Sequence, residues 1–479
     1  MILLRYTDSI YRNLKNRVMY GQFFLILPTQ LFEKKYLPKY VTDPKSTIQI
    51  IIWECPWYFN NPKYNFNKKK IILHKGAIEY YYDYLKSAGI NAIKVAYDEN
   101  INDVITDKYS LFDPIDDIKL LKLPTKLWHM EESPNFLMTK DDYADYRKHT
   151  DKFFFNAFYM AGKKIVNIIP DVKSTDKENR KTLTKTELTN IKIPKAPSLS
   201  PIDKKYIAKG ITYVNKNFDK NYGNVDNFMF PVTHATAKKW LIYFIKYKFD
   251  NFGDYQDFIN KDNEFMFHSL LSTSINIGLL NPTDIIDAIR KIKNIKISIK
   301  INNYEGFIRQ LFWREYQRYT YIYYFSNIKN QQLNYFNNTN KLTANWYNGT
   351  TGILPVDDAI IKGFNTGYLH HIIRLMVIGN YMNLSGITPQ QGFKWFMEFS
   401  CDSYEWVMYQ NVLGMAFFAD GGATMRRPYI SSSNYIIKMS NYGRGEWCDK
   451  WDSLYHKFIK TKSTKLEKYR YYFGIPKIK

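Results

Sequence analysis

The stretch from Ile48 to Tyr97 decides the fold: IQIIIW at 48–53, KIILHKGAIEYYYDYLKSA at 70–88 and NAIKVAY at 91–97. The outer two segments are short and apolar, as strands covered on both faces should be. Between them Ile72, Ile78, Tyr82 and Leu85 recur at helical spacing, and Gly89 follows as a helix stop. Strand, helix and strand in so short a span predict a parallel pair joined by a right-handed crossover. Phe23-Phe24-Leu25-Ile26-Leu27 supplies a further strand ahead of them. No GxGxxG follows any of these strands, so a dinucleotide pyrophosphate at the first turn is not supported. The expectation is an α/β, Rossmann-like N-terminal domain with a parallel sheet over residues 1–150.

Downstream the pattern dissolves into DVKSTDKENRKTLTKTELTNIKIPKAPSLSPIDKK, polar and punctuated by Pro194, Pro197 and Pro201, which reads as a long linker over 151–205. Helical periodicity then takes over at Lys238 to Phe249, Thr283 to Ile292, Tyr304 to Tyr324, Asp357 to Met382 and Pro389 to Phe399. Residues 206–479 are expected to be all-α.

The chain of 479 residues is too long for one core, since single cores stop growing near about 250–300 residues. Its 68 Lys+Arg against 45 Asp+Glu leave a net charge of +23, while 45% hydrophobic and 17% aromatic residues exclude a disordered basic tail. Such a charge gathers polyanions, nucleic acid first and an anionic membrane surface second. The abundance of Asn, Ile, Lys and Tyr leaves open that part of the charge is the mark of an AT-rich coding sequence. Cys55, Cys401 and Cys448 lie far apart with no CxxC, which argues against a disulfide framework, a zinc ribbon or a four-thiolate cluster, and for a reducing compartment. Arg5, Asp8, Arg12 and Lys15 interrupt any N-terminal leader, and no run of 18 apolar residues can span a bilayer, so a soluble intracellular protein is expected.

Four constellations carry candidate chemistry. His268-Ser269-Leu270-Leu271-Ser272-Thr273-Ser274 offers hydroxyls and backbone N–H groups to a phosphate-bearing ligand, or else caps and turns. Trp313-Arg314-Glu315-Tyr316 reads as a helix-packing ion pair or as a cleft floor. His370, His371 and Arg374 interrupt an otherwise apolar helix, without the third ligand a zinc site needs. Arg426 and Arg427 stand with Tyr429 and Tyr435 after Gly421-Gly422, the combination that stacked bases and phosphates require, although structural tyrosines are the plainer reading.

These residues sit in ordered motifs that resemble the photolyase/cryptochrome family over nearly the whole chain. They are HKGAIEYYYDYLKSAG from His74, NFLMTKDDYADY from Asn135, DKENRK from Asp176, FPVTHATAKKWLIYFI from Phe230, FGDYQDFINKDNEFMFHSLLSTSINIGLLNP from Phe252, FIRQLFWREY from Phe307, YLHHIIRLMVIGNYMNLSGI from Tyr368 and YEWVMYQNVLGMAFFADGG from Tyr404. The branch they resemble most is the iron-sulfur bacterial cryptochromes and photolyases, also called deoxyribodipyrimidine photolyase-related proteins.

The resemblance implies an antenna-type α/β domain and a helical domain that binds FAD and lesion-bearing DNA. It implies that Tyr255 and His268, Ser269, Leu270, Leu271 and Ser272 hold the FAD phosphates and ribityl chain. It places Trp313, Arg314, Arg374 and Asp402 near the isoalloxazine, with Asn411 as the amide facing its N5. The implied reaction is light-driven electron transfer from reduced FAD to a flipped-out pyrimidine dimer, with the electron returned afterwards, a carbon-carbon lyase without net redox change. Gln310 stands where cyclobutane-dimer enzymes have Glu, with one residue fewer before the Trp than this branch usually has. His371 matches the proton-donating histidine of (6-4) photolyases, and Tyr429 and Tyr435 match tyrosines that bacterial (6-4) enzymes place at the lesion. The (6-4) photoproduct is therefore favoured over the cyclobutane dimer.

Trp346 and Trp395 match electron-transfer aromatics, or pack the core. Arg426 and Arg427 are expected on the DNA backbone. The aligned cluster-ligand positions are Pro355, Gly443, Glu446 and Cys448, so no iron-sulfur cluster and no other metal is expected. LILPTQLF replaces the usual Gly-Asp-Gln-Leu, leaving an antenna chromophore open and unidentified. The resemblance implies a monomer acting at UV-damaged DNA, not at a membrane. A cryptochrome-like photoreceptor and a non-catalytic DNA-binding homologue are the alternatives; that the chain stops at Lys479, without the long tail signalling members often carry, leans toward repair.

Overall fold

The computed structural model describes residues 21–295, 299–329 and 331–474. The expectation about a leader in Met1 to Met19 lies outside them. Two compact units share the chain: Met1–Lys140, Pro197–Ile242 and Leu271–Ala288 form one, and Asp141–Ala196, Tyr243–Leu270 and Ile289–Lys479 the other.

The first unit is built on a five-stranded, all-parallel sheet in the order β3-β2-β1-β4-β5. Its strands are β1 Phe23–Ile26, β2 Gln49–Trp53, β3 Ala92–Val95, β4 Tyr109–Phe112 and β5 Leu127–Glu131. In register, Phe24 stands beside Ile50 on one side and Ser110 on the other. The central strands are buried as their apolar runs require, whereas β3 at one edge is only half-buried and β5 at the other exposes Trp128 and His129. The helix Lys68–Ser87 connects β2 to β3, capped by Asn67, whose side chain accepts from the Lys69 amide.

That helix lies against Pro201–Asn217 at a close approach: a Cβ on Gly210 would meet the Ile72 carbonyl oxygen at 2.9 Å. Asp203, fully buried, accepts from the Val232 amide and the Thr233 hydroxyl, and so fastens this helix to the segment that follows. The division thus differs from the blocks 1–150, 151–205 and 206–479 expected from sequence. The supposed linker carries the helices Phe155–Ile165 and Lys185–Asn190, the second opened by a capping box between Thr184 and Glu187. Polar composition hid the second, KTELTN, whereas the first, FNAFYMAGKKI, is largely apolar and was passed over at the edge of the polar stretch.

The second unit is helical. Its long helix Ile301–Thr320 is buried nearly all round and runs on into a π-helical turn, Tyr321–Phe325. Two more π segments follow, Ile373–Gly379 and Tyr409–Ala416. The single helix expected from Asp357 to Met382 is broken: Leu354–Thr366 ends at Gly367, whose φ of 68° is left-handed, and Tyr368 to His370 form a connecting turn. His370 is therefore buried in that turn, while His371 starts the next helix and is exposed. Among the described residues no helix is long and apolar enough to cross a membrane.

Candidate functional site

Two of the π segments place site residues. Arg374 lies in one and Asn411 in the other, and a Cβ on Gly379 would meet the Ala416 Cβ at 2.8 Å, so the segments cross almost in contact. Wide turns of this kind re-aim side chains and recur at functional positions. The Arg374 guanidinium pairs with Asp402 at 2.9 Å and donates from Nε to the Leu369 carbonyl at 2.6 Å. Its Nη2 is buried with no protein partner. Asn411 Oδ1 accepts from the Gln317 amide at 2.8 Å, which fixes the orientation of the Asn411 amide.

Three histidines meet nearby. His268 and His370 stack with centroids 4.6 Å apart and planes 20° apart, and His371 stands edge-on to both. Burial holds the His268 and His370 imidazoles well below their usual range, so both are neutral at pH 7. His268 Nε2 and His370 Nδ1 are buried without a protein partner. Buried polar atoms left open cost about 1–3 kcal/mol each, which a polar ligand would recover. Leu270 takes a φ of 58°, a left-handed conformation that bends the chain just after His268 and Ser269. The unit boundary falls between Leu270 and Leu271. Tyr255 sits with its ring 5.8 Å from Phe267 and packs on the cluster of Leu183, Phe258 and Met266.

On the long helix, Trp313 is stacked by Phe155 at 3.6 Å and 6°, so one indole face is occupied by a residue from the supposed linker. Arg314 is half-buried with its guanidinium 5.1 Å from the Trp406 ring, and desolvation pushes that guanidinium down to about 10. Gln310 donates to Gln256 at 3.3 Å. Trp395 donates to the Trp346 carbonyl at 2.7 Å, and the Trp346 ring stands 5.8 Å from Tyr381.

The outer wall brings together residues of four segments. His371 Nε2 lies 3.1 Å from Asp257 Oδ1, and Asp257 lies 3.9 Å from Arg180. Burial raises the phenols of Tyr429 and Tyr435, with charge contributions from Asp257 and Arg180 in both. The Arg427 guanidinium sits between the rings of Tyr429 and Tyr472, 5.5 and 4.9 Å away, and exposed Arg426 lies 5.7 Å from Phe154. Asp257, Gln256 and Arg180 were not singled out from sequence, although they lie in the FGDYQDF and DKENRK motifs. Among the described residues no group of three or more His, Cys, Asp or Glu could hold a metal ion. Cys448 is buried on the helix Glu446–Thr461.

Comparison with known proteins agrees with this architecture. Residues 24–230 match the family of deoxyribodipyrimidine photo-lyase-related proteins, and residues 307–464 match the FAD binding domain of DNA photolyase. A (6-4) photolyase of Agrobacterium fabrum is 38% identical over 250 residues, 52% of this chain and 48% of that enzyme, so the match spans about half its length. An uncharacterised protein of Acanthamoeba polyphaga mimivirus is 56% identical over 85 residues, 18% of this chain and 69% of that protein. A class III photolyase structure from Agrobacterium tumefaciens superposes with a TM-score of 0.57 at 16% identity, covering 95% of this chain and 92% of that one. A Synechocystis cryptochrome superposes with a TM-score of 0.55 at 13% identity, covering 93% and 88%. With its parallel-sheet unit, its helical unit and these two matched regions, the chain belongs to the photolyase/cryptochrome family.

Proposed function

We propose that the chain is a light-dependent DNA photolyase that binds FAD and reverses the pyrimidine (6-4) photoproduct in UV-damaged DNA. The observation that carries this reading is the wall on which His371 pairs with Asp257, the carboxylate that together with Arg180 also acts on the phenols of Tyr429 and Tyr435. It supplies a proton donor and two hydrogen-bonding rings at one place, as (6-4) reversal requires.

The residues fit FAD. The open Nη2 of Arg374 is a donor in need of an acceptor, the open Nε2 of His268 can meet a donor or an acceptor according to its tautomer, and Arg374 brings a positive charge that Asp402 only partly offsets. FAD, reduced and excited by light, would supply the electron that opens the lesion. Arg374 and Asp402 would fix the ring edge, Asn411 would offer its amide, and Arg314 would add buried positive charge. Tyr255 and the 268–272 segment would hold the phosphates and ribityl chain. His371 would give a proton to the lesion, with Gln310, Tyr429 and Tyr435 framing it. Arg426 and Arg427 would neutralise backbone phosphates, which fixes position without reading sequence. Trp395 and Trp346 would pass electrons through the helical unit. The protein acts as a monomer without an iron-sulfur cluster, since Pro355, Gly443 and Glu446 stand where thiolates would be needed.

The test is light-driven repair, by the photoreduced protein, of oligonucleotides carrying one (6-4) lesion or one cyclobutane dimer. Repair of the first and its loss in His371→Asn, with the yellow colour retained, are expected; binding of FAD without repair of either lesion would favour a photoreceptor. Stoichiometric iron in the purified protein would refute the absence of a cluster.

A further inference from the structure

Four charged side chains of the helical unit stand in a line that leads to His371. Arg309, buried on the helix Ile301–Thr320, is paired with Asp176. Asp176 also accepts from Arg180 at 2.8 Å, Arg180 lies 3.9 Å from Asp257, and Asp257 meets His371 Nε2 at 3.1 Å. Signs alternate from Arg309 to Asp257, so Asp176 and Arg180 each have an opposite charge on both sides. The line is closed at Arg309, whose side chain is 7% exposed, and open at His371, at 42%.

The contact decides which ring nitrogen works. An ionised carboxylate only accepts hydrogen bonds, so Asp257 requires a proton on His371 Nε2. His371 Nδ1 has no partner among the described residues. The other titratable neighbours of His371, the rings of His268 and His370 at 5.9 and 6.1 Å, are neutral and meet it edge-on.

Resting on the reading of His371 as the lesion-side acid, we propose that Asp257 is its positioning residue. With Arg180, Asp176 and Arg309 holding the carboxylate from behind, His371 donates its proton through Nδ1. In that step the Nδ1–H bond of the doubly protonated ring breaks, its electron pair staying on Nδ1, and a lone pair of a lesion heteroatom forms the new covalent bond to that hydrogen; there is no redox change. The ring is left neutral with its proton on Nε2, already bonded to Asp257, so it needs no flip. Removing an oriented carboxylate from such a pair frees the ring to take the wrong tautomer.

Two measurements on the full chain test this. In protein labelled with ¹⁵N-histidine, the neutral His371 ring is expected as the Nε2–H tautomer. Asp257→Ala should mix the tautomers of His371 without moving the signals of His268 and His370, and Asp257→Glu should restore it. In single-turnover repair with saturating (6-4) oligonucleotide, Asp257→Ala should lose at least about tenfold in yield per absorbed photon, while the Kd for the oligonucleotide changes less than about threefold. The double variant Asp257→Ala, His371→Ala should do no worse than His371→Ala. An Nδ1–H tautomer, a tautomer indifferent to Asp257→Ala, or losses that add in the double variant would overturn the proposal. If the unaltered protein repairs nothing, the photolyase reading fails, and the tautomer result still decides the role of Asp257.

Discussion

Replacing Asp402 by Asn removes the charge that faces Arg374 and leaves the shape of the side chain unchanged. The pair is 2.9 Å apart with side chains 9% and 15% exposed, so water screens it weakly. At an effective dielectric constant of about 20, unit charges some 4 Å apart attract by about 4 kcal/mol. Part of this is recovered because the Asn oxygen still accepts from Arg374 and an amide is cheaper to bury than a carboxylate. A guanidinium left without its counter-charge nevertheless costs more than a lost neutral hydrogen bond, so a net loss of about 2–4 kcal/mol is expected. For a unit of this size each kcal/mol moves the midpoint by roughly 2–4 °C, which predicts a Tm lowered by roughly 4–16 °C in a circular dichroism melt. A Tm within about 1 °C of the unaltered protein would show that Arg374 is neutralised by other groups and that the pair does not hold the site.

Gly379→Ala should destabilise by about 1–3 kcal/mol, because its Cβ would lie 2.8 Å from that of Ala416 and 3.1 Å from the Arg374 carbonyl. An unchanged Tm would mean that the two π segments separate easily. Acid should destabilise the fold through its buried imidazoles. Burial lowers His74 to about 3 and His234 to about 4, and holds His268 and His370 well below their usual range. Unfolded imidazoles bind protons below about pH 6.5 while these do not, so their contribution is complete above that pH and lost as pH falls. Between pH 6.5 and 5 His74 and His234 should each cost about 2 kcal/mol, seen as a falling urea midpoint; a flat profile would contradict their burial.

The sheet was legible where strands are covered on both faces, because β1 and β2 are unbroken apolar runs. It was not legible at β4 and β5, where Ser110 interrupts one strand and exposed Trp128 and His129 make the other look like a loop. The helix Pro389–Phe399 was legible to the residue, since Thr388 caps it and Pro389 starts it. The break at Gly367 did not, because an apolar period continues through it. Family motifs marked Arg374, Asp402 and His371, and the structure puts an ion pair on the first two. Asp257 and Arg180 were hidden for a different reason. They are ordinary polar residues locally, and only tertiary folding sets them in line. Phe155 was missed because the aromatic residues at the start of the supposed linker had no visible partner until Trp313 was placed against them.

The discontinuity of the sheet-bearing unit bears on how the protein is made. Its last piece, Leu271–Ala288, is synthesised long after β5, with Asp141–Ala196 and Tyr243–Leu270 of the other unit emerging in between. Vectorial, domain-by-domain maturation on the ribosome, the usual course for chains of this length, is therefore closed to it. A nascent chain halted at residue 150 or 205 holds the whole sheet but lacks segments that complete its hydrophobic cover. Such fragments should engage chaperones or aggregate, and gene fusions or splits placed in the polar stretch before Pro201 should fail where its composition invites them.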